Sequence, residues 1–215
     1  MNIGIIITLP RHDSVTEYIS QFSVEIIGAA YQKGIKIKEL RDQKATKKEF
    51  EIVVKNLDYR MIIFNGHGSD VSIEGHHDTL VELGVNEELL KERIVYARSC
   101  NAASILGKKC TENTKKGCFI GYELPFMFYL DTHWASNPKK DSIAPLFLEP
   151  SNAVPIALIK GNTALYAHEN GKKHMLKNID KLLKKGGNES FLFAGALWNN
   201  YTGQVLLGNP TVTLD

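Results

Sequence analysis

A histidine and a cysteine stand in surroundings that suit nucleophilic catalysis. His67 lies between two glycines, in the run Gly66-His67-Gly68, and Cys100 follows 33 residues later (100 − 67). A free thiol titrates at about pH 8.5, so only a small share of it is the nucleophilic thiolate at neutral pH. A nearby imidazole can take the thiol proton, or stabilise the thiolate as imidazolium. The sequence therefore predicts Cys100 as a nucleophile and His67 as its general base.

The backbone around both residues is predicted to stabilise the oxyanion of an acyl-transfer intermediate. The predicted donors are the N–H groups of Gly68 and Cys100, and one such donor typically contributes about 2.7–4 kcal/mol. Glycine on both sides of His67 is expected to let a substrate backbone pass close. A helix is predicted to start just after Cys100, and its N-terminal dipole would favour the thiolate.

A purely structural role is the alternative for each residue taken alone. A cysteine at a strand end is more often a small buried hydrophobe than a nucleophile, and a single His-Gly pair is an equally weak signal. The joint order carries more weight: an apolar strand, Gly66-His67-Gly68, one crossover, a second apolar strand, a small residue, Cys100 and a helix.

The elements that must position these residues follow from hydrophobic periodicity. Continuous β-branched runs predict buried strands, and helical spacing of apolar residues behind capping boxes predicts helices. The predicted strands are 3–8, 35–40, 60–64, 94–97 and 118–122, with a hairpin at 71–73 and 79–81 and closing strands at 205–207 and 211–214. The predicted helices are 14–33, 46–57, 86–92, 102–110, 151–160, 163–185 and 189–200, with a loop at 123–150.

Strands that alternate with helices predict a three-layer α/β/α sandwich with a mostly parallel sheet of about five to six strands. The chain of 215 residues shows no internal repeat or linker, so we expect a single domain over residues 1–215. Ligands bind beyond the carboxyl ends of parallel strands. Consecutive βαβ strands are usually neighbours, so His67 and Cys100 are expected at the same sheet edge.

Composition narrows the classes of function. The net charge is only +2, so composition does not favour nucleic-acid binding. No apolar segment is long enough for a membrane helix. Three cysteines without metal-like spacing favour a reducing, cytoplasmic setting. No Walker A or G-x-G-x-x-G loop follows the first strand. His76-His77-Asp78 is interpreted as a hairpin tip, and no metal or cofactor is expected.

Three segments together resemble the caspase-like cysteine peptidases, the group that holds caspases, metacaspases, gingipains, separases and bacterial CHAT domains. They are IIFNGHGS (62–69), IVYARSCNAA (94–103) and LLGNPTVTL (206–214), in which Asn209 replaces the usual aspartate. The segment 157–183 is similar to the helix pair of CHAT domains, which makes these the nearest in pattern. The resemblance covers the chain from about residue 59 onward and implies a caspase-like fold. It also implies a metal-independent dyad of His67 and Cys100.

The same resemblance suggests where a substrate side chain would bind. In this family the residue two before the nucleophile often lines the pocket for the side chain that precedes the cut, the P1 residue. Here that residue is Arg98, which predicts an acidic P1 because guanidinium pairs bidentately with carboxylate. Arg98 paired with a surface acid such as Glu92 is the alternative. If Glu123 or Asp131, in the long loop, lined the pocket instead, P1 would be basic.

Two other functions remain open from the sequence. One is a catalytically silent caspase-like scaffold or partner-binding module, and the other is a Cys-His acyltransferase or amidase that acts on a small molecule. The expected partners are a protein or peptide substrate together with a regulatory protein or a second copy of the chain. No direct nucleic-acid or membrane partner is expected.

Overall fold

A six-stranded sheet in the order β2-β1-β3-β6-β7-β8 forms the centre of the protein, seen here in a computed structural model that describes residues 1–134 and 138–215. Its first five strands in that order run parallel, and β8 pairs antiparallel to β7. A separate hairpin, β4–β5, follows β3 in the chain. The strands are β1 Asn2–Leu9, β2 Ile37–Arg41, β3 Tyr59–Asn65, β4 Ser72–Glu74, β5 Thr79–Glu82, β6 Ile94–Arg98, β7 Cys118–Tyr122 and β8 Gln204–Gly208.

Both faces of the sheet are covered, which explains the continuous apolar runs of its central strands. Alternate side chains of β3 enter different cores: Ile63 packs on one face and Ile62 on the other. Helices α2 (Val24–Gln32), α5 (Pro145–Ile159) and α6 (Ala164–Lys185) cover the first face. Helix α3 (Lys47–Leu57) covers the second, together with residues 103–111. The predicted three-layer sandwich with five to six strands is confirmed.

Within residues 1–134 and 138–215, seven α-helices connect and cover the strands. They are α1 Ser14–Phe22, α2 Val24–Gln32, α3 Lys47–Leu57, α4 Lys108–Thr111, α5 Pro145–Ile159, α6 Ala164–Lys185 and α7 Asn188–Gly203. Thr46 and Thr163 cap α3 and α6 with their side chains, as hydroxyl residues at that position do. In the part of the chain that the structure describes, no helix has the length and apolar character needed to cross a bilayer.

The first predicted helix differs from the structure at its start and in its middle. Asp13, not Ser14, is the N-cap of α1, and its carboxylate accepts the N–H of Thr16 in a capping box. Helix α1 ends at Phe22 and α2 begins at Val24, so two helices stand where one was expected. With Asp13 as the N-cap, its Oδ1 caps the helix while its Oδ2 points toward the sheet edge.

Three other predictions were wrong in their local structure. The helix expected over 102–110 is a π-helical segment, Ala103–Gly107, followed by the short α4. The end of the predicted loop at 123–150 is helical, because α5 begins at Pro145, where proline suits the first helical position. The segment 211–214 forms no strand, although Val212 and Leu214 are buried in the core. The middle of the long loop, 135–137, lies outside the described residues.

Candidate active site

The two predicted catalytic residues emerge from paired strands at matching positions. Asn65, the last residue of β3, pairs in register with Arg98, the last residue of β6. His67 and Cys100 each lie two residues beyond this pair, so both stand at the carboxyl edge of the sheet. The register of two neighbouring parallel strands therefore brings the backbone of His67 and that of Cys100 to the same edge of the sheet.

The glycines beside His67 are required by the protein's own packing. A Cβ on Gly68 would lie 2.9 Å from the Ser99 Cβ and 3.0 Å from the Cys100 carbonyl oxygen. A Cβ on Gly66 would lie 2.6 Å from the Glu74 carbonyl oxygen, and Gly66 has a φ of +146°. The space that a Cβ would need at either glycine is therefore filled by the protein itself. Gly68 lets the histidine loop pack closely against the cysteine loop, and Gly66 lets it pack closely against Glu74 of β4.

The imidazole of His67 is oriented by a carboxylate that the sequence reasoning missed. His67 Nε2 lies 2.6 Å from Oδ2 of Asp13, and 44% of the His67 side chain is exposed. A neutral imidazole bound in this way donates its Nε2 proton to the carboxylate and keeps a lone pair on Nδ1. Asp13 therefore selects the tautomer whose Nδ1 can accept a proton.

Hydrogen bonds from the start of α1 hold the Asp13 carboxylate in place. Oδ1 accepts from the backbone N–H of Thr16 at 2.7 Å and from the Thr16 hydroxyl at 2.9 Å. Desolvation acts to raise the pKa of Asp13, but the hydrogen bonds from Thr16 and His67 outweigh it and lower that pKa to about 2. The carboxylate is thus ionised at any pH near neutrality and faces the imidazole as a fixed negative charge.

The carboxyl ends of β1 and β3 are tied together beside this pair. The side-chain amide of Asn65 donates to the Thr8 carbonyl at 2.8 Å, and the backbone N–H of Asn65 donates to the Thr8 hydroxyl at 3.1 Å. Both residues are fully buried. This link fixes how the chain leaves β1 toward Asp13 and how it leaves β3 toward His67.

Two backbone N–H groups at the sheet edge remain available as donors. The antiparallel bridge between Gly68 and Ile73 uses the neighbouring N–H groups: Ser69 donates to Ser72 and Glu74 donates to His67. Among the hydrogen bonds of the described residues, neither the Gly68 nor the Cys100 N–H has an acceptor. These are the two donors that the sequence predicted for an oxyanion.

Cys100 is the partly exposed member of the three free cysteines. Its Sγ lies 4.0 Å from the carbonyl oxygen of Phe126. The segment that follows Cys100 is the π-helical Ala103–Gly107, which continues into α4, rather than a regular α-helix. Burial raises the pKa of the Cys110 and Cys118 thiols to about 12 each. These two are packing residues, as expected.

Arg98 lies beside the site but is completely buried, with 0% of its surface exposed. One guanidinium nitrogen, Nη2, donates to Oδ1 of Asn152 at 2.5 Å, and Asn152 in turn donates to Glu25 at 3.0 Å. Nε and Nη1 are buried without a partner among the described residues. The alternative pairing with Glu92 was wrong, because that carboxylate accepts the backbone N–H groups of Lys115 and Lys116.

The two acids of the long loop are engaged elsewhere. Glu123 pairs with Lys108 at 2.7 Å. Asp131 accepts from Nδ1 of His133 at 2.8 Å, while its own backbone N–H donates to Asp141. The structure therefore joins His67, Cys100, Gly68 and Arg98 at one edge, and it gives Glu123 and Asp131 other partners.

Three more histidines surround the Asp13–His67 pair. The ring centroid of His12 lies 5.7 Å from that of His67, 5.7 Å from that of His76 and 4.8 Å from that of His77. His76 and His77 form the tip between β4 and β5, as expected. Asp78 turns away and accepts the backbone N–H of Lys47 at the start of α3.

His12 and Asp13 could have been found from the sequence. They follow β1, which lies beside β3, so the carboxyl-edge rule that selected His67 and Cys100 applies to them equally. The interpretation of residues 14–17 as a capping box placed the acid outside the helix start and hid this signal.

A scan against protein-family profiles found no match, and a search of curated proteins also found none. Among solved structures, the chain is similar to the crystal structure of the Arg-specific cysteine proteinase gingipain R, with a TM-score of 0.62 and 14% sequence identity. The likeness covers 98% of this chain and 46% of that chain, so this chain spans about half the gingipain length. The two share the caspase-like fold. The finer resemblance to CHAT domains stays a prediction.

Proposed function

We propose that this protein is a cysteine endopeptidase with Cys100 as nucleophile and His67 as general base. The observation that carries the proposal is the shared sheet edge, where β3 and β6 end in register and Gly68 packs directly on Ser99 and Cys100. The caspase-like fold, found also in a cysteine proteinase, is consistent with that chemistry.

The proposed reaction uses only side-chain and backbone groups. His67 Nδ1 takes the thiol proton, and the Cys100 thiolate attacks the peptide carbonyl carbon. The oxygen then becomes an oxyanion that accepts the N–H groups of Gly68 and Cys100. His67 returns the proton to the leaving amine, which leaves a thioester on Cys100. Water hydrolyses the thioester: His67 takes the water proton, and the thiolate departs as the carboxylic acid forms.

Asp13 acts in this scheme as a positioning residue. It accepts the Nε2 proton of His67 and stabilises the imidazolium that forms when Nδ1 is protonated. The N-cap bonds from Thr16 hold the carboxylate in one orientation. The function thus depends on α1 as well as on the two strands that present the dyad.

The direct test is cleavage of a diverse peptide library, read by mass spectrometry. We expect cuts by the unmodified protein and none by Cys100→Ala, while Cys110→Ala, which removes a buried thiol away from the site, still cuts. Selective labelling of Cys100 by a thiol electrophile without any cut would indicate a latent enzyme or an enzyme acting on small-molecule acyl groups. Neither cuts nor selective labelling would favour the scaffold function and overturn the proposal.

We further propose an acidic P1 residue, bound through Arg98. The support is that two guanidinium nitrogens of Arg98, which lies two residues before the nucleophile, are buried and have no partner among the described residues. A carboxylate would satisfy both donors bidentately, although it reaches them only if the packing over Arg98 opens. Arg98→Met should reduce cleavage after Asp and Glu at least about tenfold relative to neutral residues. An unchanged P1 preference, or a basic one, would contradict this.

A further inference from the structure

A cluster of imidazoles lies against the proposed general base. His12 and Asp13 follow β1, His67 follows β3, and His76 and His77 come from the β4–β5 tip. We propose that His12, Asp13 and His67 form a binding site for a transition-metal ion such as Zn²⁺, and that the ion inhibits the enzyme by occupying His67. The inhibitory part of this inference depends on the proposed peptidase function, whereas the metal site itself does not.

The three ligand atoms are already close together. One atom from each of His12, Asp13 and His67 lies within 4.8 Å of the others. Asp13 Oδ2 lies 2.6 Å from His67 Nε2 and 3.5 Å from His12 Nε2. Tetrahedral Zn²⁺ bonds of about 2.0–2.2 Å place its ligands about 3.3 Å apart. The observed separations bracket that value, so small side-chain rotations suffice to form the site.

The donor set suits zinc better than calcium or magnesium. Two imidazole nitrogens and one carboxylate oxygen match the borderline-soft metals, whereas Ca²⁺ and Mg²⁺ require mostly oxygen ligands. Three protein ligands leave a fourth position for water or for another side chain. The ring of the exposed His77 lies 4.8 Å from that of His12.

The groups that hold these ligands favour binding as well. Oδ1 of Asp13 is engaged by Thr16, so only Oδ2 is directed at the histidines, in the manner of an outer-shell contact that orients a ligand. His12 is only 15% exposed, and its Nδ1 has no partner among the described residues. The nearby cation, Arg11, is neutralised by Glu17 at 2.5 Å. The carboxylate charge of Asp13 therefore remains to attract a cation.

Metal binding and base catalysis exclude each other at His67. When Nε2 binds the metal, the proton that Nε2 carried must leave it, and the neutral ring then carries its proton on Nδ1. The Nδ1 lone pair that would accept the thiol proton is thereby lost. The same ion would also bind Oδ2 of Asp13, the oxygen that orients the His67 ring. A bound ion would thus hold the enzyme inactive, and its removal by a chelator would restore the base.

The test is calorimetric titration of the purified full chain with Zn²⁺ alone, at pH 7.5. We expect one Zn²⁺ per chain, with an affinity at least tenfold weaker in His12→Asn and in Asp13→Ser. The matched control is His133→Asn, which removes a histidine that is 89% exposed and outside the cluster. That control and Cys100→Ser should bind Zn²⁺ as the unmodified chain does.

Three results would overturn the metal site. They are a dissociation constant weaker than about 100 µM, an unchanged affinity in His12→Asn, or loss of binding in Cys100→Ser, which would assign the ion to the thiolate. Calorimetry needs no peptide cleavage, so its outcome is independent of the proposed reaction. Where cleavage is observed, Zn²⁺ should inhibit it at the calorimetric dissociation constant and EDTA should reverse it. Binding without inhibition would overturn the inhibitory role alone.

Discussion

The carboxyl edge of the sheet and its buried middle are built from the same three strands but carry different residues. In the middle of β1, β3 and β6, side chains such as Ile6, Ile63 and Tyr96 are fully buried and pack into the two cores. A few residues further on, Asp13, His67 and Cys100 are partly exposed and polar. Under the proposed function, the middle supplies stability and the edge supplies chemistry. Substitutions in the middle should therefore lower stability, whereas substitutions at the edge should lower activity.

The largest expected contrast is between the thiols of the two regions. A thiol whose pKa is about 12, as burial gives Cys110 and Cys118, is ionised in roughly one molecule in 10⁴ to 10⁵ at pH 7.5. Iodoacetamide should therefore modify Cys100 at least about 10³-fold faster than either buried thiol. Peptide mapping by mass spectrometry gives the three rates. In guanidinium, where the protein is unfolded, all three thiols should react at similar rates. Equal rates in the native protein would contradict the expected difference between Cys100 and the buried thiols.

Substitutions in the buried middle of the sheet should lower the free energy of unfolding. Ile63→Ala removes fully buried atoms between β1 and β6 and should lower the free energy of unfolding by about 2–5 kcal/mol, measured by urea denaturation. Cys100→Ala truncates a partly exposed side chain and should change it by less than about 1 kcal/mol. If Cys100→Ala destabilised the fold as much as Ile63→Ala does, the edge would be structural as well.

The sequence predicted the middle better than the edge for a physical reason. A strand covered on both faces must be apolar at every position, so β3, β6 and β7 were located to within about a residue. Local periodicity does not distinguish an α-helix from the π-helical Ala103–Gly107. It also does not distinguish a strand from 211–214, whose alternating apolar residues enter the core without pairing.

The edge residues were predicted only where the residue type itself was informative. His67 and Cys100 have side chains that suggest nucleophilic chemistry, and their strands were correctly taken as neighbours. Asp13 is an ordinary helix cap by type, and its second role depends on α1 lying beside the end of β3. A contact between residues 54 positions apart leaves no local pattern in the chain.

Asp13 tests whether α1 belongs functionally to the edge. Asp13→Ser keeps a side chain that caps a helix but removes the carboxylate from His67, so kcat/KM should fall about 10²-fold while stability changes by less than about 0.5 kcal/mol. Asp13→Ala should lose the same activity and, in addition, about 1 kcal/mol of stability. The pair of variants separates capping from positioning through peptide cleavage rates and urea denaturation. Full activity in Asp13→Ser would leave the carboxylate with its capping role alone.

Arg98 lies at the boundary between the buried middle and the carboxyl edge of the sheet. It is fully buried, as residues of the middle are, but it carries a charge. Replacing a buried, incompletely paired cation by an apolar side chain of similar length removes a desolvation cost. The same change leaves Oδ1 of Asn152 without its donor, which costs about 1–3 kcal/mol. These effects oppose each other, so Arg98→Met should alter the free energy of unfolding by no more than about 1 kcal/mol despite complete burial. A loss as large as that of Ile63→Ala, in the same urea measurement, would instead assign Arg98 to the structural middle and weaken its place in the P1 pocket.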